Sequence, residues 1–433
     1  MRKKNRTIKV MYIVTEALLG GHVLSGFTIA KKMKEHGIEP IFVGAKGVLS
    51  KEIEVEMPFE VVDIPLFHGT RHTYITWSSI KAIQRLSEIS RNYSVDLIHA
   101  FDARSYLHAY PAGLIGDIPI TCTLCGGIDP YYNIPQAPEI MVFSEEQKHR
   151  MTNHFNWPKN RVNVVRTRLD LQQIRSDVHF LNDEESKRFG ISPSLPKVMM
   201  ISSFDGTKIR SIHQVLDAVE ILFLKGVKFQ LVLIGGKGEL YDQARLKGES
   251  LCKRFEPDCV VFTGPVLHAF RLLQRATVVL GVGRSAFEGM IYSKPTLIVG
   301  ENGFAGIVAP ETVDDIGWYN FSGRNQQKVV SAENLATEIS LLLADEVRCC
   351  ELGEFAFEFI RQEIDVAQGA SSIKSIYKKL LVPESRLPRW KQWYSFVRCL
   401  VPIMIDNGMH TIKQGIKRVV FFNRGLFFSS KNN

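Results

Sequence analysis

The sequence predicts an α/β fold of two open, largely parallel sheets in tandem, and three observations predict it. Continuous apolar runs of strand length alternate with amphipathic runs of helix length almost throughout, the pattern of parallel strands buried on both faces. The alternation lapses once, at residues 180–196, and then restarts with a fresh strand. Glycine-rich turns follow strands in both halves, at the carboxyl ends where open α/β sheets bind ligands.

In order, the first half reads as strand IKVMYIVTE, turn LLGGHVLSG, helix SGFTIAKKMKEHG, strand EPIFVGA, helix SIKAIQRLSEISRNYS, and strands VDLIHAF, PITCTL and EIMVFS. The polar segment FLNDEESKRFGISPSLP, with its Pro and Ser residues, reads as a linker. Beyond it come strand KVMMISSF, helix SIHQVLDAVEILFLKG, strand FQLVLIGG, helix ELYDQARLKGESLCKRF, strand CVVFTG, helix HAFRLLQRA, strand TVVLGV, helix SAFEGMIYS and strand PTLIVG. The expected division is a first domain at 1–180, a linker at 181–196, a second domain at 197–383 and a basic tail at 384–433. Strand ends of two such domains would face each other across a cleft.

Composition narrows the class. A chain of 433 residues with 45% apolar content has material for two or three domains. No apolar run approaches the roughly 20 residues of a membrane span, and the N-terminal run is broken by Thr15-Glu16, so neither a signal peptide nor a spanning helix is expected. Seven scattered cysteines point to a reducing compartment, and the expectation is a cytoplasmic protein. Cys122 and Cys125 form a CxxC without a second pair or a nearby His, so no metal site is expected.

The net charge of +9 is concentrated at the C-terminal end. Residues 384–433 hold nine Lys/Arg against Glu384 and Asp406, a net of +7 that leaves +2 for the rest. A basic tail on a balanced body argues for a local anionic surface and against nucleic acid. Set on a helix, Met409, Ile412, Ile416, Val419 and Val420 share one side. Two readings stand: a helix lying in an anionic membrane interface, which the charge favours, or a tail packed on the first domain or against a second copy.

The turn TVVLGVGRSAFEGM carries the most chemistry. Glycines at 281 and 283 let backbone approach a ligand, the helix start offers the amides of Gly283, Arg284 and Ser285, and Arg284 adds a fixed charge suited to a diphosphate. Glu288 stands three residues after Ser285, in register to close a capping box instead. Gly236 in GGKGEL and Gly264 in FTGPV end neighbouring strands, and Gly20-Gly21 end the first strand of the first half. His22 and His99 are the polar candidates on the first-domain wall, as contacts to a ligand, which the resemblance given below would make a sugar or acceptor, or as structural residues. Asp102, in FDARSYLHAY with Arg104 and His108, reads first as a helix N-cap.

Taken in order, GGHVLSGFTIAKKMKEHG, VDLIHAFDARSYLHA, VFSEEQKHRM, VNVVRTRLDL, VMMISSFDGTKIR, LVLIGGKGEL, VVFTG and GRSAFEGMIYSKPTLIVGENGF make the chain resemble the retaining glycosyltransferases of family four over about residues 7–375. The resemblance implies the GT-B fold, two Rossmann-like domains facing a cleft. It implies that Glu288 takes the ribose hydroxyls of a nucleoside-diphosphate-sugar donor, that Gly283, Arg284 and Ser285 meet the diphosphate and sugar, and that Lys208 or Arg210 neutralises the leaving group, with no metal and no cofactor. Three positions depart from the family pattern: Leu280 stands where a first glutamate falls, Cys125 where a histidine is common, and of a Pro-Asn-Gly-x-Asp turn only Asp170 is kept. The implied function is transfer of a sugar, with retention, to a lipid-linked or surface-polysaccharide acceptor, by a protein peripheral at the inner face of a membrane. The alternatives are a sugar-nucleotide epimerase and a non-catalytic partner of an active transferase.

Overall fold

A computed structural model describes residues 7–65, 77–126, 130–176, 181–327 and 329–405. The chain divides into two compact units. The first comprises residues 1–143, 147–165 and 370–433, and the second comprises 144–146 and 166–369.

The first unit is built on a seven-stranded parallel sheet. Its strands are β1 (Ile8–Glu16), β2 (Ile38–Ala45), β3 (Phe59–Val61), β4 (Leu97–Phe101), β5 (Ile120–Leu124), β6 (Ile140–Val142) and β7 (Val162–Val164), in the order β3-β2-β1-β4-β5-β6-β7. The apolar runs that announce these strands are buried because both faces are covered: Met11 and Ile13 pack to one side of β1, while Val10, Tyr12 and Val14 are equally inaccessible on the other. The helix Gly21–Glu35 follows β1, and the helix Asp102–Gly116 follows β4 without an intervening residue.

The second unit holds a six-stranded sheet. β8 (Lys197–Ile201), β9 (Gln230–Ile234), β10 (Val260–Gly264), β11 (Val278–Gly281), β12 (Thr296–Gly300) and β13 (Gly303–Ile307) lie in the order β10-β9-β8-β11-β12-β13. All pairings are parallel except β12 with β13, an antiparallel edge pair. β13 escapes the sequence reading because its GFAGI carries two glycines in five residues. The expected helix over HAFRLLQRA is a 3₁₀ run, Ala269–Arg275.

The chain crosses between units elsewhere than the composition suggests. It leaves the first unit at 166, not at 181–196, because Leu169 and Leu171 pack in the second unit's core with Phe287, Met290 and Ile360. The expected linker itself contains a short helix, Asp183–Arg188, closed by an Asn182–Glu185 capping box. The return falls at 370, ahead of the expected 384, inside the helix Val366–Leu381. Tyr377 of that helix is buried in the first unit, its hydroxyl 2.6 Å from His99 Nδ1 and donating to the Tyr12 hydroxyl at 3.2 Å.

Of the basic tail, residues 389–405 are helical and belong to the first unit, whereas the 409–420 stripe lies outside the described residues. Phe396 joins the first unit's core, Leu400 packs against it, and the Ser395 hydroxyl accepts the Gln136 N–H. This stretch therefore does pack on the first unit. Its opposite side presents Trp390, Tyr394, Val397, Val401, Met404 and Ile405, spaced as one helical face and about half to two-thirds exposed. Arg386, Arg389, Lys391 and Arg398 are the charged side chains of residues 386–405, with no Asp or Glu among them. No helix of the described residues is long and apolar enough to cross a membrane.

Candidate active site

In the first sheet the strand order reverses at β1 and β4, so their outgoing connections diverge and leave a crevice beyond their carboxyl ends. A cavity of about 380 Å³ occupies it. Glu16 and His22 line it from the β1 exit, Asp102 and Arg104 from the β4 exit, and Tyr131 and Tyr132 from the segment after β5. Ile403 of the tail helix closes part of its apolar side.

Asp102 is not the expected N-cap. It is the first helical residue, at φ +68°, a left-handed conformation that Asp tolerates better than most side chains. Its Oδ1 accepts the Cys125 N–H at 2.9 Å, and Oδ2 lies 3.8 Å from His22 Nδ1. Gly20 makes room for that imidazole, since a Cβ there would meet His22 Cε1 at 3.0 Å. Gly21, by contrast, faces open space.

His99 is corrected from candidate contact to packing residue. It is fully buried in β4, stacked 4.4 Å from the Phe101 ring, with Nδ1 at Tyr377 and Nε2 2.7 Å from Thr123 Oγ1. Burial lowers its pKa to about 3, so the ring stays neutral. His108 is likewise enclosed, between the Arg104 carbonyl and Ser79. Cys122 of the CxxC is buried in β5 and its thiol is pushed far up by that burial.

In the second sheet the reversal falls between β8 and β11. Past β8, Asp205 organises the loop: Oδ1 accepts the Thr207 N–H and hydroxyl, and Oδ2 accepts the Ser203 hydroxyl. Lys208 Nζ donates to Ser203 Oγ at 2.8 Å and sits 3.5 Å from Asp205. Burial pushes the Asp205 carboxyl up, but these hydrogen bonds and Lys208 outweigh it and bring it down to about 2. Arg210 is exposed, in the first turn of the helix Ile209–Leu224.

Past β11 the turn is dictated by its glycines. Gly283 adopts φ +50°, ψ −119°, and a Cβ on Gly281 would stand 2.8 Å from the Ala286 nitrogen at the start of the helix Arg284–Met290. Two of the three amides expected at a diphosphate already have protein acceptors: Gly283 N–H donates to the Phe321 carbonyl and Ser285 N–H to that of Val282. No capping box forms, because Gly283 is the N-cap and the Ser285 hydroxyl bonds the Val282 backbone instead. Glu288 pairs with Arg284, Oε1 to Nε 3.0 Å, with side chains only 12% and 18% exposed. Burial raises the Glu288 carboxyl and Arg284 opposes the rise. Leu280 is buried in the core with Val198, Met200 and Leu297, so the position of the family's first glutamate is apolar interior here.

Gly236 and Gly264 end β9 and β10 at φ +79° and +69°. Gly236 is pressed against Phe204, whose ring a Cβ would overlap, whereas Gly264 has only the Tyr241 hydroxyl within 4 Å. Sequence reasoning passed over Arg168, which is buried, donates to Asn320 Oδ1 at 2.7 Å, lies over the Phe287 ring and lends its carbonyl to Arg284. The clue lay in RTRLD, whose Asp170 caps the following helix by accepting the Gln173 N–H. Arg324 was also missed; Glu146 grips it through two hydrogen bonds and Glu301 through a third.

No family model matches the chain, and no curated protein sequence matches it either. Solved structures do. A glycosyltransferase from Rickettsia africae ESF-5 aligns at TM-score 0.67 and 17% identity, over 88% of this chain and 100% of that one. HepE of Anabaena in complex with UDP and glucose aligns at 0.61 and 15%, over 86% and 99%. The UDP-GlcNAc 2-epimerase of Neisseria meningitidis bound to UDP-GlcNAc aligns at 0.57 and 13%, over 86% and 100%. At such identities the likeness is one of fold: the chain is built from the two Rossmann-like domains of the GT-B architecture.

Proposed function

We propose that the protein transfers a sugar from a nucleoside-diphosphate-sugar to an acceptor hydroxyl. The observation that carries this reading is the second unit's strand reversal, where adjacent strands β8 and β11 exit into a loop bearing Lys208 and a turn bearing Arg284 and Glu288. Cations suit a departing diphosphate, whose charge grows as the glycosidic bond breaks, and a carboxylate suits the paired hydroxyls of a ribose. UDP in the HepE structure supports the donor class. Retention of anomeric configuration rests on the sequence resemblance. In the first unit the cavity beyond β1 and β4 is the acceptor site. Ile403 joins that cavity to a helix with an exposed apolar face and three cations, Arg389, Lys391 and Arg398, which supports a lipid-linked acceptor met at an anionic membrane surface, with the protein peripheral to its cytoplasmic side.

The epimerase likeness supports a second reading, interconversion of the donor without an acceptor. Calorimetry with UDP, followed by assay of nucleoside diphosphate release with and without acceptor, separates the two and also a non-catalytic partner, which binds without turnover. Glu288→Ala is expected to abolish turnover of a matched donor in a folded protein; full activity of that variant removes the assignment.

A further inference from the structure

We propose that the Arg284 side chain is a positioning residue for Glu288, fixing the carboxylate that receives the ribose hydroxyls, and is not a contact of the diphosphate. The inference rests on the nucleotide reading of the second unit and gives one of its residues a different role.

Three observations carry it, all within the second unit. The guanidinium of Arg284 is committed to protein acceptors through two of its nitrogens: Nε donates to Glu288 Oε1 at 3.0 Å and Nη1 to the Arg168 carbonyl at 3.1 Å. A planar fork held at two points has a fixed orientation, and the carboxylate bonded to it shares that orientation. The anchor is fixed in turn. Arg168 is buried, its Nη2 donates to Asn320 Oδ1 at 2.7 Å and its Nε to the Arg166 carbonyl at 3.1 Å, and its guanidinium lies 4.7 Å from the centre of the Phe287 ring. Phe287 stands beside Glu288 in the helix Arg284–Met290, so the residue that receives Arg284 also packs on the helix that bears the acid.

The third observation is enclosure. Glu288 is nearly buried, and Arg284 is the group that opposes the effect of burial on its carboxyl. Removing one member of such a pair leaves the other charge uncompensated. Oε1 is taken by Arg284, and among the described residues no donor meets Oε2, which leaves that oxygen for a hydroxyl. The diphosphate then falls to Lys208, whose ammonium is a mobile point charge on the loop after β8.

The two roles differ in which part of a nucleotide loses affinity when Arg284 is replaced. The test is calorimetry on the full chain with the most tightly bound of UDP, GDP, ADP and CDP, set against its 2′-deoxy counterpart. In the wild type the ribose form should bind about 10–100-fold more tightly, the value of a hydrogen bond to a charged group. Arg284→Met should bring that ratio close to one while the deoxy form loses little. Arg284→Met combined with Glu288→Gln should discriminate no worse than Glu288→Gln alone, since the two residues act as one unit. Arg284→Lys keeps the charge without the planar fork and should restore little of the ratio. Circular dichroism checks folding, and where Arg284→Met does not fold, Arg284→Lys carries the comparison. Equal losses for the ribose and deoxy forms make Arg284 a diphosphate contact and overturn the inference, as does a ratio that holds or rises without Arg284. A wild type that binds nucleotide without preferring ribose removes Glu288 as the ribose ligand, and one that binds none of the four removes the nucleotide reading itself; the inference falls with either.

Discussion

The His99 site allows an acid-stability prediction with a definite sign. In the unfolded chain the imidazole titrates near 6.5, and in the folded protein burial holds it to about 3. Between these values the unfolded state binds the extra proton, so stability is intact above pH 6.5 and is lost as pH falls toward 3. At 1.36 kcal/mol per unit, about 3 kcal/mol is gone by pH 4.5 and about 5 kcal/mol below pH 3. Those are large fractions of the roughly 5–15 kcal/mol that holds a domain together. His99→Gln removes the titration while imperfectly serving Thr123 and Tyr377, a loss of about 1–3 kcal/mol near neutrality. The variant should therefore be the less stable protein at pH 7.5 and match or exceed the wild type near pH 4.5. Urea unfolding followed by tryptophan fluorescence reads this, since Trp77, Trp157, Trp390 and Trp393 belong to the first unit and only Trp318 to the second. Carboxylates titrate alike in both proteins and cancel in the difference. Parallel stability curves across pH 7.5 to 4.5 would refute the argument.

Gly283→Ala forces a side chain into a glycine conformation and should lose about 1–3 kcal/mol, lowering Tm by roughly 2–12 °C, whereas Gly21→Ala should leave Tm unchanged because its Cβ enters open space. Lys208→Ala should weaken UDP binding in calorimetry by about 10–100-fold, the value of a charged hydrogen bond, with Arg210→Ala within a few-fold of wild type; the opposite ranking would move the diphosphate contact to Arg210. Replacing Trp390 and Tyr394 together with Ser should cut sedimentation with vesicles of phosphatidylcholine and phosphatidylglycerol by roughly tenfold or more. Undiminished binding would remove the exposed face of the 389–405 helix from the membrane claim.

The sequence makes the strands legible because burial on both faces writes itself locally, as unbroken apolar runs such as VMYIV and VDLI. It is less informative where structure depends on distant partners. Asp102 reads as a cap until Cys125, 23 residues on, is seen to take its oxygen. The helix bearing Tyr377 follows the second half in sequence yet supplies the hydroxyl that fixes His99, 278 residues away. The turn from Gly281 to Glu288 was legible as a turn, since glycines announce it. Its hydrogen bonds were not, and they redirect two amides into the protein and tie Glu288 to Arg284.

His22 and His99 show what burial adds to residue type. Both belong to the elements that meet at the first sheet's reversal, and both are equal candidates from sequence. His99 has hydroxyls within 2.7 Å of each ring nitrogen and no access to water, so protonation is disfavoured and contact with a substrate is blocked. His22 lines the cavity with the Asp102 carboxylate 3.8 Å away and about a third of its side chain exposed, so a ligand can reach it. Acid stability is therefore expected to follow His99, and contact with a ligand in the first unit's cavity to follow His22.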